Sequence, residues 1–171
     1  ILSVLMTWIK VHGEYVIVEK FFKKLKDYEK FKGRTPVANA MAAFAVTCGY
    51  TKWKKWITTS KAKPEYAVNP ELSEGSIRYH GTYEQLAAFG VMVPKKMLRI
   101  RETDVFTEAE LAKKNIQYRN RLIFGPSWRA DIITAIDFGL PNPSIISKLI
   151  GCSYEPAHRV FREYKLAKGA V

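Results

Sequence analysis

The stretch 149-LIGCSYEPAHRVFREYK-165 combines a helix stop, a helix start and a run of basic residues. Gly151 is a residue type that commonly ends a helix, and Ser153 is a common N-terminal cap of the next one. Pro156 fits the first turn of that second helix, because its missing N–H does no harm there. The stretch therefore predicts two helices that are joined by a tight glycine turn.

The predicted second helix has a small, apolar side and a polar, mostly basic side. Ala157, Val160 and Phe161 share the apolar side. A small residue six positions after the glycine lets two helices cross closely at a wide angle, and this spacing is typical of a helix-turn-helix. The residues that project elsewhere are Tyr154, Glu155, His158, Arg159, Arg162 and Lys165.

Two more helices are predicted immediately before this turn. One runs from about Ser127 to Phe138, and a shorter one begins at the cap Asn142 with Pro143 in its first turn. Ser147 lies in the shorter helix, where a serine is tolerated if its hydroxyl hydrogen-bonds back to the preceding turn. The residues predicted to face inward are Trp128, Ile132, Ile133, Ala135 and Ile136 in the first helix, and Ile145, Ile146, Leu149 and Ile150 in the second.

The segments ISKLIGCSYEPAHRVFREY and RLIFGPSWRADIITAI resemble the helix-turn-helix core of prokaryotic winged-helix transcription regulators. The resemblance covers residues 121–171, under a third of the chain. It implies that helix 153–165 lies in the major groove of DNA, that Ser153 and Tyr154 contact phosphate, and that His158 and Arg159 face base edges. Only KLAKGAV follows the helix, so a stub in place of the wing, or a three-helix relative without one, is expected.

The charge of the chain agrees with a polyanionic partner. Lys and Arg number 28 against 16 Asp and Glu, which gives a net charge of +12, and the pI is near 9.7. So large an excess attracts nucleic acid or an anionic membrane face. The longest uncharged stretch is too short and too rich in alanine to cross a bilayer, so no membrane role is expected.

The cysteines and histidines predict neither a metal site nor a cofactor site. Cys48 and Cys152 form no CxxC pair and no cluster with the three histidines. Two cysteines far apart in the sequence also give no disulfide framework, which indicates a reducing compartment. We therefore expect a cytoplasmic protein without a bound metal or cofactor.

The N-terminal part reads as a basic helical domain. Apolar residues recur at three- and four-residue steps over 14–31, and an alanine-rich helix is expected from Val37 to about Cys48. The segment TKWKKW at 51–56 predicts a short third helix, in which Trp53 and Trp56 either cover the core or stack on bases. The possible phosphate contacts in this part are Lys20, Lys23, Lys24, Lys52, Lys54 and Lys55.

The middle of the chain predicts a small antiparallel sheet. Two β-prone runs, EYAVN and SIRYHGT, are joined by the turn-like segment PELSEG. Two more, VMV and MLRIR, flank the break at PKK. Between these pairs, YEQLAAF is predicted to form a short helix. Thr107 and Glu110 form a capping box that starts a helix at about Glu108. The expected fold is α+β, mostly α, with a basic helical domain at 1–60, a small α+β segment at 61–106, and a linker helix plus helix-turn-helix module at 107–171.

Three functions are compatible with these patterns. The first is a homodimeric, sequence-specific transcription regulator that reads double-stranded DNA with residues 153–165. The second is an antitoxin-like or assembly subunit whose basic N-terminal helix meets an acidic protein partner. The third is a binder of single-stranded RNA that uses Trp53 and Trp56. No enzyme is expected, because the DFG tripeptide at 137–139 lacks every other kinase motif and no catalytic set of residues stands together.

Overall fold

The computed structural model describes residues 1–32, 36–57, 65–66 and 69–169. The described chain is mostly helical and has one very small sheet, so the mostly α class is confirmed. Contacts between Cα atoms divide the chain into two compact units, 1–107 and 108–171. Gly33, which is expected to end the helix over 14–31, and Thr35, which is expected to cap the alanine-rich helix, lie outside the described residues, as do residues 67–68 of the EYAVN run.

The first unit contains α1 (Leu2–His12), α2 (Val18–Lys32), α3 (Pro36–Thr47), β1 (Glu65–Tyr66), α4 (Pro70–His80), α5 (Glu84–Ala87) and β2 (Val91–Met92). Short 3-10 helices lie at Gly13–Tyr15, Thr51–Trp56, Lys95–Met97 and Glu102–Asp104. The amphipathic helix expected over 14–31 and the alanine-rich helix expected over 37–48 correspond to α2 and α3.

One apolar core holds the first unit together. Alanines of α3 such as Ala42 and Ala45 are fully buried, which lets neighbouring elements approach the helix closely. Trp53 is 1% exposed, and its Nε1–H donates to the carbonyl oxygen of Gly13 at 3.2 Å. Leu86 lies in the same core as Trp53, although the sequence places these two residues in different segments.

The described sheet is parallel, so the expectation of an antiparallel sheet is wrong. Glu65 of β1 pairs with Val91 of β2, and the pair extends over two residues in each strand. An isolated antiparallel bridge joins Thr82 to Pro94 outside these strands. The tertiary fold sets this parallel pairing, which links positions 26 residues apart.

PELSEG and the first five residues of SIRYHGT form one helix up to His80, and not a turn followed by a strand. Asn69 caps α4, since its side chain accepts a hydrogen bond from the N–H of Glu71 at 3.0 Å, and Pro70 occupies the first helical position. Proline suits this position because its φ angle is already helical. The MLRIR segment is not a strand either, because Lys95–Met97 is a 3-10 helix and 98–101 has no regular structure.

The second unit consists of α6 (Glu108–Lys114), α7 (Ile116–Phe124), α8 (Trp128–Asp137), α9 (Pro143–Ile150) and α10 (Tyr154–Ala167). The helix expected from Glu108 is present, but it ends at Lys114, and Asn115 caps α7 by accepting from the N–H of Tyr118 at 3.0 Å. The buried residues that form the core of this unit are Ile132, Ile133, Ala135, Ile146, Ile150, Ala157 and Val160.

Candidate nucleic-acid interface

The turn between α9 and α10 has the conformation that the glycine predicts. Gly151 lies in the left-handed region with φ 75° and ψ 34°, which a residue with a Cβ adopts only at a cost of about 1–2 kcal/mol. Its N–H, and that of Cys152, donate to the carbonyl oxygen of Ser147 at 2.9 and 3.1 Å. Ser147 donates its own hydroxyl hydrogen to the carbonyl oxygen of Ser144 at 2.9 Å, which is the bond that makes a serine tolerable there.

Ala157 lies where α10 packs against the other helices of the unit. Its side chain is fully buried, in the same cluster as Ile146 of α9 and Ile132 of α8. Val160 follows one turn later on the same side and is 3% exposed. The buried side of α10 is therefore the one that the sequence predicts.

The apolar side of α9 is narrower than the sequence suggests. Ile146 and Ile150 are buried, but Ile145 is 46% exposed and Leu149 is 70% exposed. Ser147 occupies the space beside Ile146 instead and is 8% exposed. The expectation that Ile145 and Leu149 face inward is wrong.

Every residue of 153–165 that the sequence assigns to DNA is exposed. Arg159 and Arg162 are exposed, and neither forms an ion pair with another residue in the described part of the chain. The nearby carboxylate of Glu163 pairs with Arg129 of α8 at 3.0 Å. Two guanidinium groups therefore stay available for an outside partner. The other assigned residues that the structure places in exposed positions are Ser153, Tyr154, Glu155, His158 and Lys165.

The start of α10 also leaves polar groups available. Ser153 is the N-cap residue, but its hydroxyl makes no capping hydrogen bond to the helix. The first N–H groups of a helix have no partner within the helix, and they favour an anion. The ring of Tyr154 stacks on that of His158, with the centroids 5.7 Å apart and the planes at 27°.

A buried ion pair joins α7 to α8. Asp131 is 3% exposed and accepts from Nε and Nη2 of Arg121 at 2.9 and 3.1 Å. Gln117 donates its side-chain N–H to the same carboxylate at 2.9 Å. Since both carboxylate oxygens are used within the fold, Asp131 has a structural role.

Asp137 holds three helices together at the other end of α8. It accepts hydrogen bonds from Asn120 of α7 at 3.2 Å, from the hydroxyl of Tyr164 at 3.0 Å and from Lys168 at 2.6 Å. Burial raises the pKa of this carboxyl group, but the hydrogen bonds from Lys168, Asn120 and Tyr164 outweigh burial, and the net pKa lies below the ordinary value. The same contact with Asp137 raises the pKa of Lys168. These bonds position the C-terminal end of α10.

No cluster of three or more His, Cys, Asp or Glu residues that could hold a metal ion occurs in 1–32, 36–57, 65–66 and 69–169. Within the same ranges, no helix combines the length and the hydropathy that crossing a membrane requires.

The lysines that the sequence predicts as phosphate contacts lie on α2 and on the 3-10 helix Thr51–Trp56, and several of them already have partners. Lys52 contacts Glu14, and Lys55 pairs with Glu19. Lys20 also takes part in a further interaction. By contrast, the exposed residues Lys23, Lys24 and Lys54 form no ion pair within the described part of the chain.

The two tryptophans of TKWKKW are not free platforms for bases. Trp53 belongs to the core, as described above. Trp56 stacks on Phe22 with the ring centroids 4.6 Å apart and the planes at 1°. The ammonium groups of Lys26 and Lys55 lie 5.4 and 5.5 Å from the centroid of the Trp56 ring. Both tryptophans therefore take part in packing, which the sequence left open.

No family model, curated protein or solved structure matches this chain.

Proposed function

We propose that the unit 108–171 binds double-stranded DNA and that α10 reads bases in the major groove as the recognition helix of a helix-turn-helix. One observation carries the proposal: Arg159 and Arg162 are exposed and unpaired within the described part of the chain, on a helix whose opposite side is fixed by Ala157 and Val160. A rigid helix that presents free guanidinium groups suits groove binding, because arginine bonds guanine through two acceptors at once.

The contacts divide into those that give affinity and those that give specificity. Ser153 and Tyr154, at the start of α10, are placed to contact phosphate, and a helix N-terminus favours such an anion. His158 and Arg159 face base edges, and each good contact of this kind contributes about 1–3 kcal/mol of discrimination. Glu155 adds an acceptor that suits the amino group of cytosine. Arg162 and Lys165 extend the basic surface along the helix.

The basic surface of the first unit is proposed to add contacts that do not depend on sequence. Residues 1–107 carry 18 Lys and Arg against 10 Asp and Glu. Lys23, Lys24 and Lys54 are the members without an ion pair in the described ranges, so they are the best placed to neutralise phosphate. Lys20, Lys52 and Lys55 would have to give up their present contacts within the protein in order to bind phosphate. Each phosphate that a protein neutralises makes binding weaker at higher salt.

A homodimer would give the proposed regulator its specificity. Two copies of α10 that lie on one face, about 34 Å apart, would enter successive turns of the major groove. Such a dimer would bind a palindromic site, because the symmetry of the DNA would match that of the protein.

The test is a gel-shift titration of duplex DNA with the parent chain and with Arg159→Ala/Arg162→Ala. Loss of the two contacts is expected to weaken binding about tenfold or more and to reduce its dependence on salt. The matched control is Arg99→Ala/Arg101→Ala, which removes the same charge from exposed arginines outside α10. Equal affinities of the parent and the α10 variant would contradict the proposal.

A protein-interaction role is the second candidate, and the unpaired lysines of α2 favour it. An acidic partner on this surface would make binding depend on Lys23 and Lys24 and not on Arg159 and Arg162. Co-precipitation of such a partner with Lys23→Ala/Lys24→Ala separates the two candidates. Single-stranded RNA is a weaker candidate, because Trp53 is buried and one ring face of Trp56 is covered by Phe22.

A further inference from the structure

An open groove of about 550 Å³ runs along one side of α10, beside the start of α9. Its apolar lining is formed by Pro143, Phe161, Leu166 and the ring of Tyr154. Tyr154 is 54% exposed and Leu166 is 56% exposed, so the groove presents apolar area directly to water. Such area costs free energy until a partner covers it.

The charged lining of the same groove is basic. Arg162 and Lys165 lie along it with His158, and no Asp or Glu is among its lining residues in the described chain. Lys165 holds its ammonium group 4.8 Å from the centroid of the Phe161 ring, next to the apolar lining. An occupant therefore needs negative charge and apolar side chains in close succession.

We propose that this groove binds an acidic peptide segment of a partner protein. Apolar side chains of the peptide cover Leu166 and Phe161, while its carboxylates pair with Arg162 and Lys165. A peptide fits better than a small molecule, because pockets for small ligands enclose most of the ligand and this groove is open along its length. Duplex DNA would use the basic residues of the groove but would leave Leu166 uncovered, because a sugar-phosphate backbone brings charge but no apolar side chain.

A peptide bound in this groove would regulate DNA binding, and this inference rests on the proposed DNA-binding function. Tyr154, His158, Arg162 and Lys165 belong both to the groove and to the surface assigned to DNA. A bound peptide and a bound duplex would therefore exclude each other. Arg159 does not line the groove, so the two ligands differ in their dependence on Arg159 and on Leu166.

The experiment is selection of displayed random peptides on the full chain, followed by affinity measurements with the selected peptides. Enrichment of peptides that combine Asp or Glu with Leu, Phe or Trp is expected. Leu166→Ser removes apolar area and no charge, and it is expected to weaken peptide binding about tenfold while duplex affinity stays within about twofold. Arg159→Ala is expected to show the reverse pattern, with weaker duplex binding and unchanged peptide binding.

Each other outcome has a defined meaning. Absence of acidic peptides among those selected overturns the groove proposal, whether or not the chain binds DNA. Equal peptide affinity of the parent and Leu166→Ser overturns it as well. Displacement of the peptide by micromolar 4-phenylbutyrate would reassign the groove to a small organic anion. If the parent binds the peptide but no duplex, the peptide proposal is supported. The mutual exclusion of peptide and duplex, and the proposed DNA-binding function, are then both contradicted.

Discussion

Ser147 shows at the scale of single residues what the sequence leaves undetermined. The three isoleucines and one leucine of α9 predict a broad inward side. Instead, Ser147 is buried together with Ile146, while Ile145 and Leu149 are exposed. The serine is accepted because its hydroxyl is bonded to Ser144 within the same helix, so burial leaves no polar group unpaired. Apolar spacing alone cannot predict such a rotation of a two-turn helix.

Ile146→Ala is expected to lower the free energy of unfolding of the unit 108–171 by about 2–5 kcal/mol, because Ile146 is fully buried and its removal leaves a cavity. Leu149→Ala is the matched control, and a change within about 0.5 kcal/mol is expected at this 70% exposed position. Native-state hydrogen exchange of the α8 amides measures both. If Leu149→Ala lowered the free energy of unfolding as much as Ile146→Ala, α9 would have to be rotated so that Leu149 also faces the core.

At the scale of elements, the sequence predicts α8, α9 and α10 well because each has its own start and stop signals. Asn142 and Pro143 begin α9, and Gly151 ends it in the left-handed conformation. The pair Asn69 and Pro70 gives the same start signal for α4, yet a turn and a strand were expected there.

The sequence does not predict α4 because the apolar pattern of this helix is weak. Leu72 and Tyr79 are 66% and 86% exposed, and Ser73 is its one buried residue. A helix that buries so little shows no helical periodicity, so the β-prone residues Ile77 and Tyr79 dominate the sequence pattern. The capping signal was the better guide.

Acid should loosen the junction of α7, α8 and α10 at Asp137. Because the pKa of this carboxyl group is lowered in the folded state, its stabilising contribution is present above the ordinary pKa of 3.8 and is lost as the pH falls through the lower, folded value. Asp137→Asn removes this term, so the unit 108–171 of the variant is expected to lose stability less steeply below about pH 4 than that of the parent.

Hydrogen exchange of the α10 amides, corrected for the intrinsic exchange rate, measures this effect. The pH is varied from about 5 to about 2, because a carboxyl group with a lowered pKa titrates within this range. Glu155→Gln is the control, because Glu155 is an exposed carboxylate with no hydrogen bond in the described chain. It should follow the parent. An equally steep acid loss in Asp137→Asn would show that the hydrogen bonds to Asp137 do not stabilise the junction.

The whole molecule combines two compact units that are both basic. Residues 108–171 carry 10 Lys and Arg against 6 Asp and Glu, and the larger part of the net charge lies in residues 1–107. The net charge follows directly from the composition. The sequence does not predict the parallel pairing of β1 with β2 or the shared core of Trp53 and Leu86, which depend on contacts between distant positions.

The central proposal for this molecule is that α10 discriminates between bases. The measurement is selection of binding sites from a pool of random duplexes, with the parent, Arg159→Ala and the control Arg99→Ala. We expect the parent and the control to enrich one short motif, and Arg159→Ala to relax one or two positions of that motif at a cost of about 1–3 kcal/mol. Enrichment of no motif by the parent, or of the same unrelaxed motif by Arg159→Ala, would contradict the proposal.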